Sequence, residues 1–261
     1  MRNGKLEGRV AIITGGTSGI GQASVRLFCQ EGAKVVIAAR NGERAEAIIR
    51  EVHEGERGGE AIFLPTDITC PEQVENLIRQ TMESLGRVDI LYGNAGIFPV
   101  GTAPDTSIDT WRRCIDVNLS SNFYLAKHGI PALIESGGKA IIFTAGELGI
   151  VGKSEGVAYC ASKAGLINMT RAIAIDCAPY GIRVNCLAPG PVMTPMLREW
   201  FDGAENPEEL EEAQKRPVLM KRWGTPSEIA EVALFLASDA SSYMTGSIVV
   251  ADGGASAWYG L

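Results

Sequence analysis

The chain has 261 residues, of which 46% are hydrophobic and 21% charged, and its formal net charge is −7. This length and composition predict one globular domain with a large core. Because no basic block offsets the acidic balance, neither a nucleic acid nor an anionic membrane surface is expected as a partner. No apolar run approaches the ~20 residues that a membrane-spanning helix needs.

Cysteine and histidine usage also bears on location and metal binding. The first residues lead into a strand pattern without the apolar stretch of a signal peptide, which favours a cytoplasmic location. Six cysteines show neither a CxxC pair nor a disulfide framework, so we expect reduced thiols. His53 and His128 stand alone, and no metal site is expected.

Short apolar runs alternate with helical patterns along most of the chain. Continuous aliphatic runs such as VAIIT and KVVIAA are typical of parallel strands that are covered on both faces. The predicted strands cover residues 10–14, 34–39, 61–65, 88–92, 139–145, 182–187 and 247–250. The predicted helices cover residues 19–31, 41–55, 71–85, 107–135, 157–178 and 226–238. This alternation predicts a Rossmann-like α/β fold: a doubly wound parallel sheet of about seven strands with helices on both faces.

Residues 191–225 interrupt the alternation. They contain helical patches, an acidic cluster at 205–212 and several large apolar side chains. A connection of this length is typical of a lid or a binding loop, although an extra helix pair packed on the body would give the same pattern. We predict a single domain over 1–261 with a substrate loop or lid at about 191–225.

A glycine-rich turn follows the first predicted strand and opens the first predicted helix. Glycines permit a tight turn and a close backbone approach, and the free N–H groups of a helix N-terminus attract an anion. This position in the first βα unit is typical of a dinucleotide-binding turn. The predicted contacts to the dinucleotide here are Gly15, Thr17, Ser18, Gly19, Ile20 and Gly21.

The end of the second strand indicates which dinucleotide is bound. An NAD site usually has Asp or Glu there for the ribose 2′-hydroxyl, whereas this chain has Ala38-Ala39-Arg40. The Arg40 guanidinium, assisted by Arg44, can hold a 2′-phosphate, although a solvated arginine at a helix start is the alternative interpretation. We therefore predict NADP(H) as the preferred cofactor, with NAD(H) possible.

Tyr159 and Lys163 are four residues apart in a predicted helix, so their side chains lie on one face. An ammonium one turn away favours the phenolate and lowers the pKa of the phenol from about 10, which suits a general acid/base. An isolated pair at this spacing is usually an exposed pair without function. The nucleotide-binding turn earlier in the chain favours the catalytic interpretation.

Taken together, these motifs resemble the short-chain dehydrogenase/reductase family over essentially the whole chain. The sequence TGGTSGIG at 14–21 is similar to the family's cofactor turn, and the regions 243–246 and 252–254 resemble its C-terminal strand region. The resemblance implies an adenine contact by Asp67 and Ile68. It implies further cofactor contacts by Asn94, Ala95, Gly96, Pro189, Gly190, Val192 and Thr194.

The resemblance also implies a reaction and an assembly. Tyr159 would be the general acid/base, Lys163 would hold the cofactor ribose and keep the tyrosine acidic, and Asn118 would anchor a proton-relay water. The reaction implied is reversible hydride transfer between the nicotinamide and a carbonyl or secondary alcohol. A homotetramer is expected, with a homodimer possible, and the aromatic tail at 257–261 would fit such an interface.

One position departs from the family's pattern. The family's catalytic serine lies thirteen residues before the tyrosine, where this chain has Gly146. Losing one donor to a developing oxyanion typically lowers the rate by about 10²–10³. Three explanations stay open: Thr144 or Tyr159 alone takes over the role, the glycine makes room for an unusual substrate, or the glycine is an introduced substitution. Glu147 is expected to be an exposed charge at the strand end.

The sequence thus predicts an NADP(H)-dependent alcohol dehydrogenase or carbonyl reductase for a mainly apolar, neutral small molecule. Candidate substrate contacts are Gly146, Leu148, Met193 and Leu197, although such apolar residues are as often part of a core. A C=C reductase of the same fold is one alternative. A dinucleotide-binding sensor with weakened catalysis is the other.

Overall fold

The computed structural model describes residues 4–55 and 59–257, so most of the aromatic tail lies outside the described residues. Seven parallel strands form one sheet in the order β3-β2-β1-β4-β5-β6-β7, which confirms the predicted fold class. Each strand lies within two residues of its predicted bounds. The strands are β1 Val10–Thr14, β2 Lys34–Ala39, β3 Glu60–Pro65, β4 Ile90–Gly93, β5 Ala140–Thr144, β6 Arg183–Pro189 and β7 Ile248–Ala251.

Helices connect the strands and cover both faces of the sheet. They are α1 Gly19–Gln30, α2 Gly42–Glu54, α3 Pro71–Leu85, α4 Ile108–Ile115, α5 Ser121–Ser136, α6 Val157–Cys177, α7 Pro195–Asp202, α8 Pro207–Lys215 and α9 Pro226–Ala237. The predicted single helix over 107–135 is wrong in detail, because a π-helical segment, Asp116–Ser120, separates α4 from α5. None of the helices in the described ranges is both long and apolar enough to cross a bilayer.

Two hydrophobic cores lie on opposite faces of the sheet. Successive side chains of a strand point to opposite faces, so Ala11 and Ile13 of β1 belong to one core while Val10 and Ile12 belong to the other. Buried residues of α1, α2 and α9 complete the first core, and those of α3, α5 and α6 complete the second. This double burial explains the continuous aliphatic runs in the sequence.

The strand order reverses direction at β1, which pairs with β2 on one side and β4 on the other. Ligands of doubly wound sheets bind in the crevice at such a switch point. The Thr14 hydroxyl accepts hydrogen bonds from the backbone N–H groups of Asn94 and Ala95, at 3.0 and 3.2 Å. These bonds fix the ends of β1 and β4 against each other on either side of the crevice.

The segment 191–225 contains α7 and α8. Phe201 of α7 is buried, and its ring lies 5.5 Å from that of Trp223, centroid to centroid. The Trp223 indole N–H donates to a carboxylate oxygen of Glu211 in α8 at 2.8 Å. The two helices therefore share a small packed unit with the residues that follow them.

Candidate active site

A cavity of ≈ 1020 Å³ lies along the carboxyl ends of the central strands. It brings together most of the residues predicted for cofactor and substrate binding. Those that line it are Gly15, Thr17, Ser18, Gly19, Ile20, Arg40, Asp67, Ile68, Asn94, Ala95, Gly96, Leu148, Tyr159, Lys163, Pro189, Gly190, Val192, Thr194 and Leu197.

Four predicted site residues do not line this cavity: Gly21, Asn118, Gly146 and Met193. Gly21 lies against the Gly15 carbonyl, where a Cβ would collide with backbone. Gly146 is buried beside the Tyr159 hydroxyl, and Asn118 is fully buried. Met193 precedes α7, whose Met196 and Leu197 do line the cavity, and its role as a substrate contact stays a prediction.

The glycine-rich turn has the geometry of a phosphate-binding loop. Gly15 and Gly19 have positive φ angles of 65° and 51°, which side-chain-bearing residues rarely adopt. A Cβ on Gly15 would lie 2.9 Å from the Ala95 Cα, so the two loops meet backbone to backbone. Ser18 is the N-cap of α1, but its side chain makes no capping hydrogen bond. The first N–H groups of α1 are thus available to an anion.

Positive and negative side chains meet around Asp67 in the cavity wall. The Asp67 carboxylate accepts hydrogen bonds from the Thr69 hydroxyl at 2.7 Å and the Thr69 N–H at 3.0 Å. These bonds, with the charges of Arg40 and Arg113, hold the pKa of Asp67 below its usual value. Arg44 also lines this end of the cavity. Sequence reasoning missed Arg113, since α4 reaches the site only through the fold.

Tyr159 and Lys163 lie together on α6, as their spacing predicts. The buried Lys163 Nζ donates to the Thr144 carbonyl at 2.8 Å and lies 5.5 Å from the centre of the Tyr159 ring. Only 2% of Lys163 is exposed, so the bond to the end of β5 holds its amine at the base of the cavity. This arrangement places a phenol and an amine side by side where the two halves of the cavity meet.

The expectation that Lys163 lowers the pKa of Tyr159 is wrong for this structure. Burial raises the pKa of Tyr159, and the nearby Glu147 carboxylate raises it further. Burial also lowers the pKa of Lys163 to about 8, which reduces the positive charge that could stabilise a phenolate. Tyr159 is therefore a protonated phenol at neutral pH, the form that donates to a carbonyl oxygen.

Asn118 lies in the π-helical segment and holds the loop that follows β4. Its side-chain oxygen accepts from the Ile97 N–H at 2.8 Å, and its Nδ2 donates to the Ile97 carbonyl at 2.9 Å. Its own backbone carbonyl accepts from the Asn122 side chain at 2.9 Å. These bonds make Asn118 a positioning residue for that loop, and a role in holding water stays a prediction.

The position of the missing serine faces the tyrosine hydroxyl. A Cβ at Gly146 would lie 3.1 Å from the Tyr159 phenol oxygen. The φ angle of 164° at Gly146 is extended backbone that any residue can adopt. Thr144 does not replace the serine, because its hydroxyl donates into the core to the Tyr92 oxygen at 3.1 Å.

Glu147 is not the exposed strand-end charge that was expected. After β5 the chain turns into a short 3₁₀ helix, Glu147–Gly149, which places Glu147 half-buried in the cavity wall. Burial raises the pKa of Glu147 to about 7; Asp252 adds to this rise, and Lys153 opposes it. The sequence gives no sign of this turn, since the residues before it read as a continuing strand.

Aromatic side chains form a chain of ring contacts that begins at Tyr159 in the cavity wall. The Phe98 ring lies edge-on to that of Tyr159 at 4.8 Å and to that of Trp200 at 5.9 Å, centroid to centroid. Lys153 and Gln214 add polar groups to this wall and were missed by sequence reasoning. They become neighbours only because α8 folds back over the loop that follows β5.

Glu147→Gln should make the protein relatively more stable as the pH rises from 5 to 8. The glutamate has an ordinary pKa of 4.5 when unfolded and about 7 when folded, so the unfolded state loses its proton first. Its contribution to the free energy of unfolding is complete below pH 4.5, falls between pH 4.5 and 7, and stays low above. Denaturant unfolding should show the variant gaining about 1–2 kcal/mol on the parent between pH 5 and pH 8. An unchanged difference would contradict the raised pKa.

Comparison with known proteins agrees with this geometry. A family model described as enoyl-(acyl carrier protein) reductase matches residues 15–256. The chain is 36% identical over 254 residues to a cyclohexanol dehydrogenase of Acinetobacter sp., covering 97% of each chain. The chain belongs to the short-chain dehydrogenase/reductase family. Members of this family are NAD(P)(H)-linked oxidoreductases that transfer hydride to or from alcohols and carbonyl compounds.

Two further short-chain dehydrogenase/reductase proteins show how complete the match is. A 2,5-dichloro-2,5-cyclohexadiene-1,4-diol dehydrogenase of Sphingobium indicum is 36% identical over 250 residues, covering 96% of this chain and 97% of its own. The crystal structure of levodione reductase is 33% identical and superposes with a TM-score of 0.94, covering 97% of this chain and all of the other. The likeness thus extends over the whole fold, including the segment 191–225.

Three structural observations fit a dinucleotide in the cavity. Cβ atoms at Gly15 and Gly21 would collide with backbone, α1 offers uncapped N–H groups, and Arg40, Arg44 and Arg113 line the cavity together with Asp67. The described ranges contain no group of three His, Cys, Asp or Glu side chains that could hold a metal ion. None of the six cysteines, which all lie in these ranges, forms a disulfide bond.

Proposed function

We propose that this protein is an NADP(H)-dependent dehydrogenase/reductase that interconverts a secondary alcohol and a ketone. The observation that carries the proposal is the Tyr159 phenol beside the buried Lys163 amine in the cavity wall, with the Lys163 Nζ 5.5 Å from the centre of the Tyr159 ring. The bound nicotinamide supplies or accepts the hydride. Tyr159 donates its proton to the carbonyl oxygen during reduction and takes it back during oxidation.

The cofactor would be held along the carboxyl ends of the strands. The N–H groups of the turn from Gly15 to α1 would bind its pyrophosphate, and Asp67 with Ile68 its adenine. The residues after β6 (Gly190, Val192 and Thr194) would bind the nicotinamide end. Lys163 would hold the ribose between these two ends, next to Tyr159.

The preference for NADP(H) is proposed on the basis of the arginines at the adenine end. The residue directly after β2 is Arg40 and not the usual carboxylate, and both Arg40 and Arg44 line the cavity there. Arg113 lies close enough to Asp67 to act on its charge, so it reaches the same end from α4.

Arg40→Ala should lower kcat/KM for NADPH by about tenfold, because one charge-assisted hydrogen-bond partner of the phosphate is lost. The value for NADH should change little. Steady-state rates with both cofactors measure this, and Arg50→Ala is the matched control, since Arg50 is an exposed arginine of α2 that does not line the cavity. A parent enzyme that clearly prefers NADH would refute the assignment.

Substrates are proposed from the aromatic and aliphatic wall and from the relatives. Phe98, Trp200, Leu148 and Leu197 give a mainly apolar lining, which suits a neutral small molecule. Two of the relatives are named for cyclic alcohols, so cyclic ketones and alcohols are the first candidates. Helices α7 and α8 would act as the lid over this substrate in a single-domain enzyme.

Loss of NADPH absorbance with cyclohexanone is the expected result of a direct test, and NADP⁺ reduction with cyclohexanol should be its reverse. An enone panel run in parallel distinguishes the C=C reductase that the matched family description favours. If no substrate is turned over while NADPH still binds at micromolar concentration, the protein is a dinucleotide-binding sensor instead.

A homotetramer is proposed as the assembly, with a homodimer as the alternative. Short-chain dehydrogenase/reductase proteins are typically oligomeric. Exposed apolar side chains such as Phe123 of α5, Ile175 of α6 and Phe235 of α9 would be covered by such an assembly.

A further inference from the structure

The cavity wall that carries the Tyr159 phenol also has a polar end. From Tyr159, ring contacts run through Phe98 to Trp200, and the Lys153 ammonium lies 5.5 Å from the centre of the Trp200 ring. Lys153 Nζ also donates to the Gln214 side-chain oxygen in α8 at 2.7 Å. Lys153, Gln214 and Glu147, which all line the cavity, form a cluster that we call the polar end.

Glu147 has two charged neighbours in an otherwise mainly apolar wall. Lys153 faces it from the loop after the 3₁₀ turn, and Asp252 faces it from the end of β7. Tyr159 and Lys163 belong to α6, which packs against the same turn. The hydride-transfer chemistry of Tyr159 and Lys163 does not require a carboxyl group at position 147. The Glu147 side chain can therefore serve in substrate binding.

The polar end favours neutral partners over ions. Burial raises the pKa of Glu147 and lowers that of Lys153, so both groups are shifted toward their uncharged forms. A substrate carboxylate or phosphate would lose its hydration there and would face the charge of Asp252. A hydroxyl group suits the cluster better, because it can accept from Lys153 and donate to Glu147 or Gln214.

We propose that Glu147, Lys153 and Gln214 bind a second hydroxyl group of the substrate, so that the enzyme prefers neutral diols or hydroxyketones to simple alcohols and ketones. This proposal rests on the proposed function and narrows its substrate class. A site built to hydrogen-bond a hydroxyl group rejects the analogue that lacks it, because its own polar groups are then left unpaired.

The test compares trans-1,2-cyclohexanediol with cyclohexanol as ligands of the protein in the presence of NADP⁺. Dissociation constants come from calorimetry, and kcat/KM comes from NADPH formation. The parent protein should bind the diol at least about tenfold more tightly than cyclohexanol. Glu147→Leu should reduce this ratio by about tenfold, whereas Glu147→Gln should keep most of it, since the amide still donates and accepts.

Two further variants complete the experiment. Gln214→Leu removes a second member of the polar end, the one that α8 contributes. It should also reduce the ratio of diol to cyclohexanol affinity, so the proposal can still be tested if Glu147→Leu does not fold. Glu199→Gln is the matched control, because Glu199 is an exposed acid of α7 that does not line the cavity. Its ratio should equal that of the parent.

Two results would overturn the proposal: a ratio near one in the parent protein, or a ratio that the leucine variants leave unchanged. Failure of the proposed function looks different. In that case neither alcohol yields NADPH, while the calorimetric preference for the diol and its loss in the leucine variants remain.

Discussion

Tyr159→Phe should lower kcat for ketone reduction by about 10²–10⁴, because the phenylalanine cannot donate a proton to the carbonyl oxygen. The loss should be nearly independent of pH below 8, since burial keeps the parent phenol protonated throughout this range. NADPH affinity, measured by fluorescence titration, should change by less than about threefold, because the ring and its contact with Phe98 are retained.

Tyr180→Phe is the control for this experiment. Tyr180 is an exposed tyrosine in the 3₁₀ turn after α6 that does not line the cavity, and its replacement should leave kcat at the parent value. If NADPH affinity falls together with kcat in the Tyr159 variant, the tyrosine has a structural role and the catalytic proposal fails.

Gly146→Ser should raise kcat for ketone reduction by tenfold or more, toward the about 10²–10³ that a single oxyanion donor can contribute. The backbone at Gly146 is extended and accommodates a side chain without strain. The new Cβ would lie 3.1 Å from the Tyr159 oxygen, so the phenol must move by a few tenths of an ångström. The new hydroxyl then lies beside the proton donor, where it can bind the same substrate oxygen.

Gly146→Ala separates the steric effect from the hydroxyl effect in this experiment. It adds the same Cβ without a donor, so it should be slower than the serine variant and no faster than the parent. Serine and alanine variants that are equally slow would show that the cavity is adapted to glycine. Steady-state rates over a range of ketones distinguish the two outcomes.

The sequence predicted the sheet well because its cues are local. The strands β1 and β2 have the predicted bounds, since each is an aliphatic run with clear polar or glycine boundaries. The π-helical segment between α4 and α5 was not predicted; Asn118 within it bonds to Ile97, which is distant in sequence. Local patterns give no information about such a contact.

The residues of the candidate site also fall into those that local sequence patterns identify and those that depend on tertiary packing. The glycine-rich turn, Arg40 and the Tyr159–Lys163 spacing are local patterns, and the structure brings them to one cavity. Arg113 and Gln214 come from helices whose placement depends on tertiary packing, so no pattern identified them. The shifts in the pKa values of Tyr159 and Glu147 depend on burial, which cannot be read from spacing.

The anchoring of Lys163 has a consequence for cofactor affinity. A lysine side chain has four rotatable bonds, and ordering it at the moment of binding would oppose association through lost rotamer freedom. Here the bond from Lys163 Nζ to the Thr144 carbonyl already orders the chain. That entropy is therefore lost once, when the protein folds, and not again at each encounter with a nucleotide.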